Sequence, residues 1–444
     1  MTEVTVGIDI GTSSVKAIAA DGDGNVVARA RVPHPFSVPT PDRFEHDAAL
    51  AWREGPQRAL DALGDIAPRG LSVAAMVPSL TAVDRDGVPR APGLLYGDER
   101  GRHEGEDSPI AEAGELMAFL RWHVAHAPDA RGYWMAQAVA NHALCGRPVV
   151  SNLVAMTAHP LFDFVQWDEA RLLECGARPD QMPEIGPASQ ALAEVDGRPG
   201  CVLEGGTIDA LGEQLVAGAE EPGDVLVILG TTLITWCVAE SAEAATGHYA
   251  IPHTAAGRWL VGGPSNAGGL FLDWADRLAA GAGRSSAGDL PADPGRVPVW
   301  APYPRGERVP FSDPSRRARL VDLDLTHDAT AVRRAAFEAS GFVARRIIDA
   351  APVPARRIVA TGGGTRVDGW LRALADATGL PVHVCAVPEG GALGAAFLAR
   401  CAAGLESDMT AARRWARTGR IVEPDPVWAS AVGERYERFR GVAG

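Results

Sequence analysis

The run GIDIGTSSVKA at residues 7–17 sets one Asp ahead of a stretch of Gly, Thr and Ser, and one Lys just behind it. Apolar alternation before it (VTVGIDI) and after it (VKAIAA) predicts two strands, with residues 11–14 as the turn between them. Such a turn presents backbone N–H groups and short hydroxyls without bulk, so an anion such as a phosphate can approach the main chain closely. Gly11, Thr12 and Ser13 are therefore candidate phosphate-binding residues. Asp9 stands where a Mg²⁺, usually through water, could be held beside that phosphate. Lys16 is the single lysine among 42 basic residues, the rest being arginine. Its compact, flexible charge suits a phosphate oxygen. An ordinary Gly-containing hairpin is the alternative.

The pattern recurs about half the chain further on. DVLVILGTTLITWCVAE at residues 224–240 again reads apolar strand, Gly-Thr turn with a further hydroxyl, apolar strand. Gly230, Thr231 and Thr232 join the phosphate candidates, and two copies of one hairpin suggest two related domains that face each other with a phosphate chain between the turns. The boundary is expected near residues 238–246, giving domains 1–240 and 241–444.

Three further segments could carry chemistry. Asp209 follows a Gly-Gly-Thr loop at the start of a predicted helix (EGGTIDALGEQLVAGA), where a carboxylate could take the proton of a hydroxyl attacking a γ-phosphate. Capping that helix is its other reading. Gly362, Gly363 and Gly364 end a predicted strand, and their bare backbone could receive adenine or its ribose, or could simply need positive φ. Asp98 and Arg100 in LLYGDERG could grip sugar hydroxyls or pair with each other, while Glu307 and Arg308 in YPRGERVPFSDP sit in what reads as a rigid turn.

The elements that must position these residues alternate between strand and helix, an α/β pattern. GNVVARARV continues the first sheet, and GLSVAAMVPS and CVLEGG read as strands ending in loops. DAALAWREGPQRALDALG has helical spacing despite Pro56. GLFLDWADRLAAG and DATAVRRAAFEASGFVARRIIDAA predict helices with Arg on their outer faces, which reads as solvated surface. EGGALGAAFLA predicts a small-residue helix made for close packing, and residues 281–296 a surface loop.

Composition narrows the function classes. Hydrophobic content of 46% and charged content of 22% over 444 residues are those of a globular protein with an ample core. A net charge of −14 argues against nucleic acid or an anionic membrane as partner. No apolar run nears the roughly 20 residues of a membrane span. The six scattered cysteines and eleven histidines form no metal or disulfide motif, so the expected setting is a reducing cytoplasm.

Together these segments resemble the FGGY family of carbohydrate kinases, within the actin-like ATPase superfamily. GIDIGTSSVKA, LYGDERG, GGTIDALG, LGTTLITW, GERVPF, TGGGTRVDGWLRALADATGLPV and EGGALGAAFLA occur in the family's order across nearly the whole chain. The resemblance implies an α/β fold of two actin-like (ribonuclease H-like) domains with a central interdomain cleft. It further implies ATP-dependent, Mg²⁺-assisted phosphorylation of a small sugar or polyol, with a pentulose such as xylulose first and glycerol, ribulose or a tetritol as alternatives. Asp209 falls on the family's catalytic base, the two turns on its phosphate sites, and the three glycines on its adenosine loop. Asp98 falls on a sugar-contacting position of xylulokinases, and Arg100 lies within the same motif. Xylulokinases typically read Gln-Met-His-Gly where this chain has MVPS, so Pro78 and Ser79 stand at sugar-facing positions with Pro78 in place of a histidine. A polar pocket rejects analogues through the groups it leaves unpaired, so this swap bears on the choice of sugar. A non-catalytic actin-like ATP-binding scaffold, or a sugar sensor, is the reading of another class. A homodimer is an open expectation.

Overall fold

The computed structural model describes residues 3–40, 42–102, 115–255, 257–279 and 293–443. The surface loop expected at residues 281–296 lies outside the described residues up to residue 292. The chain folds as two compact units, Met1–Val216 with Glu389–Trp415, and Ala217–Pro388 with Ala416–Gly444.

The first unit is built on a seven-stranded sheet. Its order is Ala191–Glu194, Val202–Glu204, Gly70–Ala75, Thr5–Ile10, Ser14–Ala20, Val26–Pro33, with Thr207–Ile208 also pairing on Gly70–Ala75. The opening strand is buried throughout, pairs antiparallel with Ser14–Ala20, and runs parallel to Gly70–Ala75. The register sets Asp9 directly opposite Lys16. A smaller four-stranded sheet, Glu45–His46, Gly93–Leu95, Ser79–Val83 and Gly132–Trp134, carries the loops around residues 76–79 and 96–100.

The helix Gly390–Ala402 packs on the opening strand so closely that a Cβ on Gly7 would overlap the Ala392 carbonyl. Thr5 Oγ1 donates to the Ala396 carbonyl at 2.8 Å, and a Cβ on Gly394 would overlap the Gly212 carbonyl. The small residues of EGGALGAAFLA are the condition for these approaches.

The second unit repeats the plan. Its seven strands run Tyr249–Pro252, Trp259–Ser265, Leu233–Ala239, Asp224–Leu229, Arg357–Thr361, Val382–Cys385, Thr418–Val422. Asp224–Leu229 again pairs antiparallel with the strand after its turn and parallel with a distant one, Arg357–Thr361. That pairing is why the division differs from the boundary expected at residues 238–246. The strand leading into the second Gly-Thr turn belongs to the second sheet, while Gly390–Ala402 returns to the first.

The outer-face reading of the arginines also fails at one place. Arg334, on the helix Ala329–Asp349, is buried with Glu338, Asp376 and Arg435. Its Nε donates to Glu338 at 2.7 Å and its Nη2 to Asp376 at 2.7 Å, Arg435 Nε donates to Glu338 at 2.6 Å, and the guanidinium lies 4.0 Å over the Trp428 ring. Helical spacing cannot register partners that arrive from Asp376 and from the C-terminal helix Pro426–Ala443. Among the described residues no helix is long and apolar enough to cross a membrane, and no disulfide joins the six cysteines.

Gly7→Val is expected to destabilise the protein by about 3 kcal/mol or more, the upper end for forcing atoms into a packed contact. For a unit of this size that lowers the melting transition by roughly 6 °C or more. Scanning calorimetry reads it, and an unchanged transition would contradict the contact with Ala392.

Candidate active site

The first turn forms where the sequence places it. The Gly11 amide donates to the Ser14 carbonyl at 3.1 Å, which closes the bend. Outside groups hold its carbonyls: His46 Nε2 lies 2.8 Å from the Thr12 oxygen, and the His34 amide donates to the Ser13 oxygen at 3.1 Å. Thr12 Oγ1 lies 2.9 Å from the Tyr96 hydroxyl, and Ser13 is exposed.

Asp9 is buried, and its Oδ2 accepts from Lys16 Nζ at 3.0 Å. Its Oδ1 is buried without a hydrogen-bond partner among the described residues. The charge of Asp9 raises the Lys16 pKa against the burial that lowers it, and Glu213 and Glu389 add to the rise. A Cβ on Gly391 would sit 3.3 Å from the Asp9 carboxyl carbon, so the helix start packs against this carboxylate.

Asp209 opens the helix Asp209–Ala217, and its Oδ1 accepts from the Ala210 amide at 2.7 Å. Its pKa is pushed up to about 7, first by burial and then by the negative charge of Asp9, with Ala210 and Lys16 opposing. The structure thus brings Asp9, Lys16 and Asp209 into one electrostatic cluster. The loop before Asp209 is held at successive residues. Asn141 Nδ2 donates to the Gly205 carbonyl at 3.2 Å, and Gln137 Nε2 to the Thr207 carbonyl at 3.0 Å. Buried Glu204 accepts from the Gly206 amide and from Ser72 Oγ, both at 2.7 Å.

In the second turn the Gly230 amide donates to the Thr232 carbonyl at 3.1 Å. The Gly269 and Leu270 amides, at the start of the helix Gly269–Ala279, donate to the Gly230 and Thr231 carbonyls at 2.9 and 3.0 Å. The three glycines at residues 362–364 are needed for different reasons. Gly362 has φ +89°, which favours glycine, and a Cβ on Gly364 would overlap the Trp370 ring. A Cβ on Gly363 would meet nothing within 4 Å, so only there is the backbone bare beside open space.

The residues expected to face the sugar are engaged with other protein groups. Asp98 is fully buried, and its two oxygens accept from the Phe44 amide (2.8 Å), the Arg100 amide (3.0 Å), Arg100 Nε (2.9 Å) and Arg100 Nη2 (2.7 Å). Arg100 also donates to Glu45 at 2.7 Å and lies 4.9 Å over the Trp122 ring. The two residues thus pair with each other, one of the two readings the motif allows. Pro78 and Ser79 are likewise buried, and the Ser79 hydroxyl accepts from the Ala136 amide at 3.2 Å. Glu307 braces its turn as expected, accepting from Ser265 Oγ (2.6 Å) and from the amides of Asn266 (2.8 Å) and Arg308 (2.7 Å).

Removing one partner of a buried, hydrogen-bonded charge pair typically costs about 3–5 kcal/mol. Asp98→Ala is therefore expected to lower thermal stability by that order. A stable Asp98→Ala variant with only a raised KM for its acceptor would favour the sugar-contact reading over the structural one.

Comparison with known proteins bears on the family and the fold. The family model for the N-terminal domain of the FGGY family of carbohydrate kinases matches residues 4–107, and that for the C-terminal domain matches residues 225–403. The chain is 26% identical to a xylulose kinase of Escherichia coli over 98% of this chain and 97% of that protein. It is 23% identical to a gluconokinase of Bacillus subtilis over 91% of this chain and 88% of that one. The crystal structure of xylulose kinase from Rhodospirillum rubrum matches it with a TM-score of 0.76 at 26% identity, over 99% of this chain and 98% of that one. Two sheets of one actin-like plan, each with its Gly-Thr turn, and both family domains in order lead to one conclusion: the chain belongs to the FGGY family of carbohydrate kinases and is a phosphotransferase.

Proposed function

We propose that the protein transfers the γ-phosphoryl group of ATP to a hydroxyl of a small uncharged sugar or polyol, with a pentulose such as xylulose as the leading acceptor. The observation that carries the reading is Asp209, a carboxyl poised near neutrality beside the Asp9–Lys16 pair. Asp209 takes the hydroxyl proton while that oxygen bonds to the γ-phosphorus and the bond from phosphorus to the ADP oxygen breaks. Gly11, Thr12 and Ser13, with Gly230, Thr231 and Thr232, offer the amides and hydroxyls that take up phosphate charge, and Lys16 adds the one ammonium. Gly363, flanked by Gly362 and Gly364, supplies the bare backbone for the adenosine. The reaction is assigned to a reducing cytoplasm, in keeping with six cysteines that form no disulfide.

Magnesium suits the residues present. Among the described residues no group of three or more His, Cys, Asp and Glu is gathered for a resident metal. Kinase Mg²⁺ usually takes only one or two carboxylates, with phosphate oxygens and waters completing its shell. Asp9 Oδ1, lacking a hydrogen-bond partner among the described residues, is the carboxylate oxygen that fits. Bound there, Mg²⁺ would offset phosphate charge.

Relatives include both xylulose kinase and gluconokinase, and electrostatics favours the neutral acceptor. The groups acting on Asp209 and Lys16 include Asp9, Glu213 and Glu389, against the Lys16 ammonium and Arg29, which lies 3.8 Å from Glu389. A carboxylate substrate would add repulsion to that cluster. Buried Pro78 in place of a histidine keeps ribulose, glycerol and tetritols as the alternatives.

ADP release should be measured with D-xylulose, D-ribulose, glycerol, erythritol and gluconate. A neutral acceptor is expected to stimulate turnover and gluconate is not. Asp209→Asn should lower that turnover at least about 100-fold, the low end for losing a general base. ATP binding without turnover on any acceptor would favour the scaffold or sensor instead.

The base must be ionised to act, so kcat/KM for the acceptor should rise as pH climbs through about 7. Stability runs the opposite way. A carboxyl whose folded pKa is raised stabilises the fold below its unfolded pKa near 4, and that contribution is lost as pH climbs through about 7. Asp209→Asn is thus expected to melt higher than wild type at pH 8, with the gap closing below about pH 4. A lower-melting variant at pH 8 would contradict the strained carboxyl.

A further inference from the structure

The two Gly-Thr turns meet one backbone requirement with different donors. In the second, the Thr231 carbonyl accepts from the Leu270 amide at a helix start, at 3.0 Å. In the first, the corresponding carbonyl of Thr12 accepts from a side chain, His46 Nε2, at 2.8 Å. His46 lies on the two-residue strand Glu45–His46 and is buried, as is Trp52.

The protonation of His46 follows from its partners. The indole nitrogen of Trp52 lies 3.0 Å from His46 Nδ1 and can only donate. Nδ1 is therefore the acceptor, and Nε2 carries the proton that goes to the Thr12 oxygen. Burial first, and then the neighbouring His34, push the His46 pKa down to about 4, which keeps this neutral form through the physiological range. A trans peptide sets its N–H opposite its C=O. With the Thr12 carbonyl drawn back to His46, the N–H of exposed Ser13 must point away from it.

We propose that His46 is a positioning residue of the nucleotide site: its Nε2–H pins the Thr12 carbonyl and thereby aims the Ser13 N–H at a phosphate oxygen, while Trp52 fixes the tautomer. The inference rests on the reading of residues 11–14 as a phosphate turn. Sequence reasoning missed His46 because it acts on a carbonyl 34 positions away.

MgATP binding to the full chain, measured by titration calorimetry on wild type, His46→Leu, His46→Gln and Gly11→Val, tests it. His46→Leu should bind MgATP at least tenfold more weakly. His46→Gln should stay within threefold of wild type, because a carboxamide also offers a donor nitrogen beside an acceptor oxygen. Gly11→Val, whose side chain fills the bend, should lose binding. If His46→Leu binds like wild type while Gly11→Val fails, His46 has no such role although the turn still holds the nucleotide. If Gly11→Val also binds like wild type, the phosphate-turn reading fails and this inference falls with it. Equal weakening in both His46 variants would likewise overturn it.

Should His46→Leu not fold, ¹⁵N-histidine spectra of the wild type replace that arm. His46 should appear as the Nε2–H tautomer, and its resonances should shift on saturation with MgADP. The other tautomer, or unmoved resonances, would overturn the proposal.

Discussion

Negative charge is crowded where the opening strand ends, and a single ammonium answers it. Asp9 and Lys16 both act on Asp209, and Lys16 donates to Asp9. Asp209 is left to pay for its own burial, and its carboxyl holds a proton up to near neutrality. A fold tuned only for stability would place an amide there. The proposed role of Asp209 as general base accounts for that carboxyl, because a base near the working pH accepts a proton while still being ionised.

The packing around this cluster follows from keeping it in place. The helix Gly390–Ala402 lies on the opening strand at distances only glycine permits, and its start presses Gly391 against Asp9. From the other side, Asn141, Gln137 and Glu204 fix the loop that delivers Asp209. Backbone carbonyls in both Gly-Thr turns are drawn away by donors behind them, a helix start in one case and His46 in the other. On the proposed reading of these turns as phosphate sites, rigid backing of this kind sets their amides in advance, so little reorganisation remains at the moment of reaction.

Much of this was legible in the chain, and the failures share a cause. The strands around both turns, the helix at Asp209 and the close-packing helix near the C-terminus follow from period and small-residue content, which are local. The hairpin was legible too, but not the pairing of Asp9 with Lys16 across it. What local patterns could not show were partners brought from afar. That the Asp98 oxygens accept from Phe44 and Arg100 is one such case. Arg334 reads as solvated until Asp376 and Arg435 close on it. The division into units differs from the expected boundary for the same reason, since Asp224–Leu229 pairs with a strand far along the chain, Arg357–Thr361. Three glycines in a row looked like one feature, yet two serve packing and backbone conformation and one faces open space.

The most direct test of the account is the ionisation of Asp209 itself. Carboxyl ¹³C spectra of protein labelled at aspartate, recorded across pH with Asp209→Asn as the assignment control, would read it. The account predicts one aspartate titrating near 7 that disappears in the variant. Every aspartate titrating near the ordinary value of about 4 would contradict it.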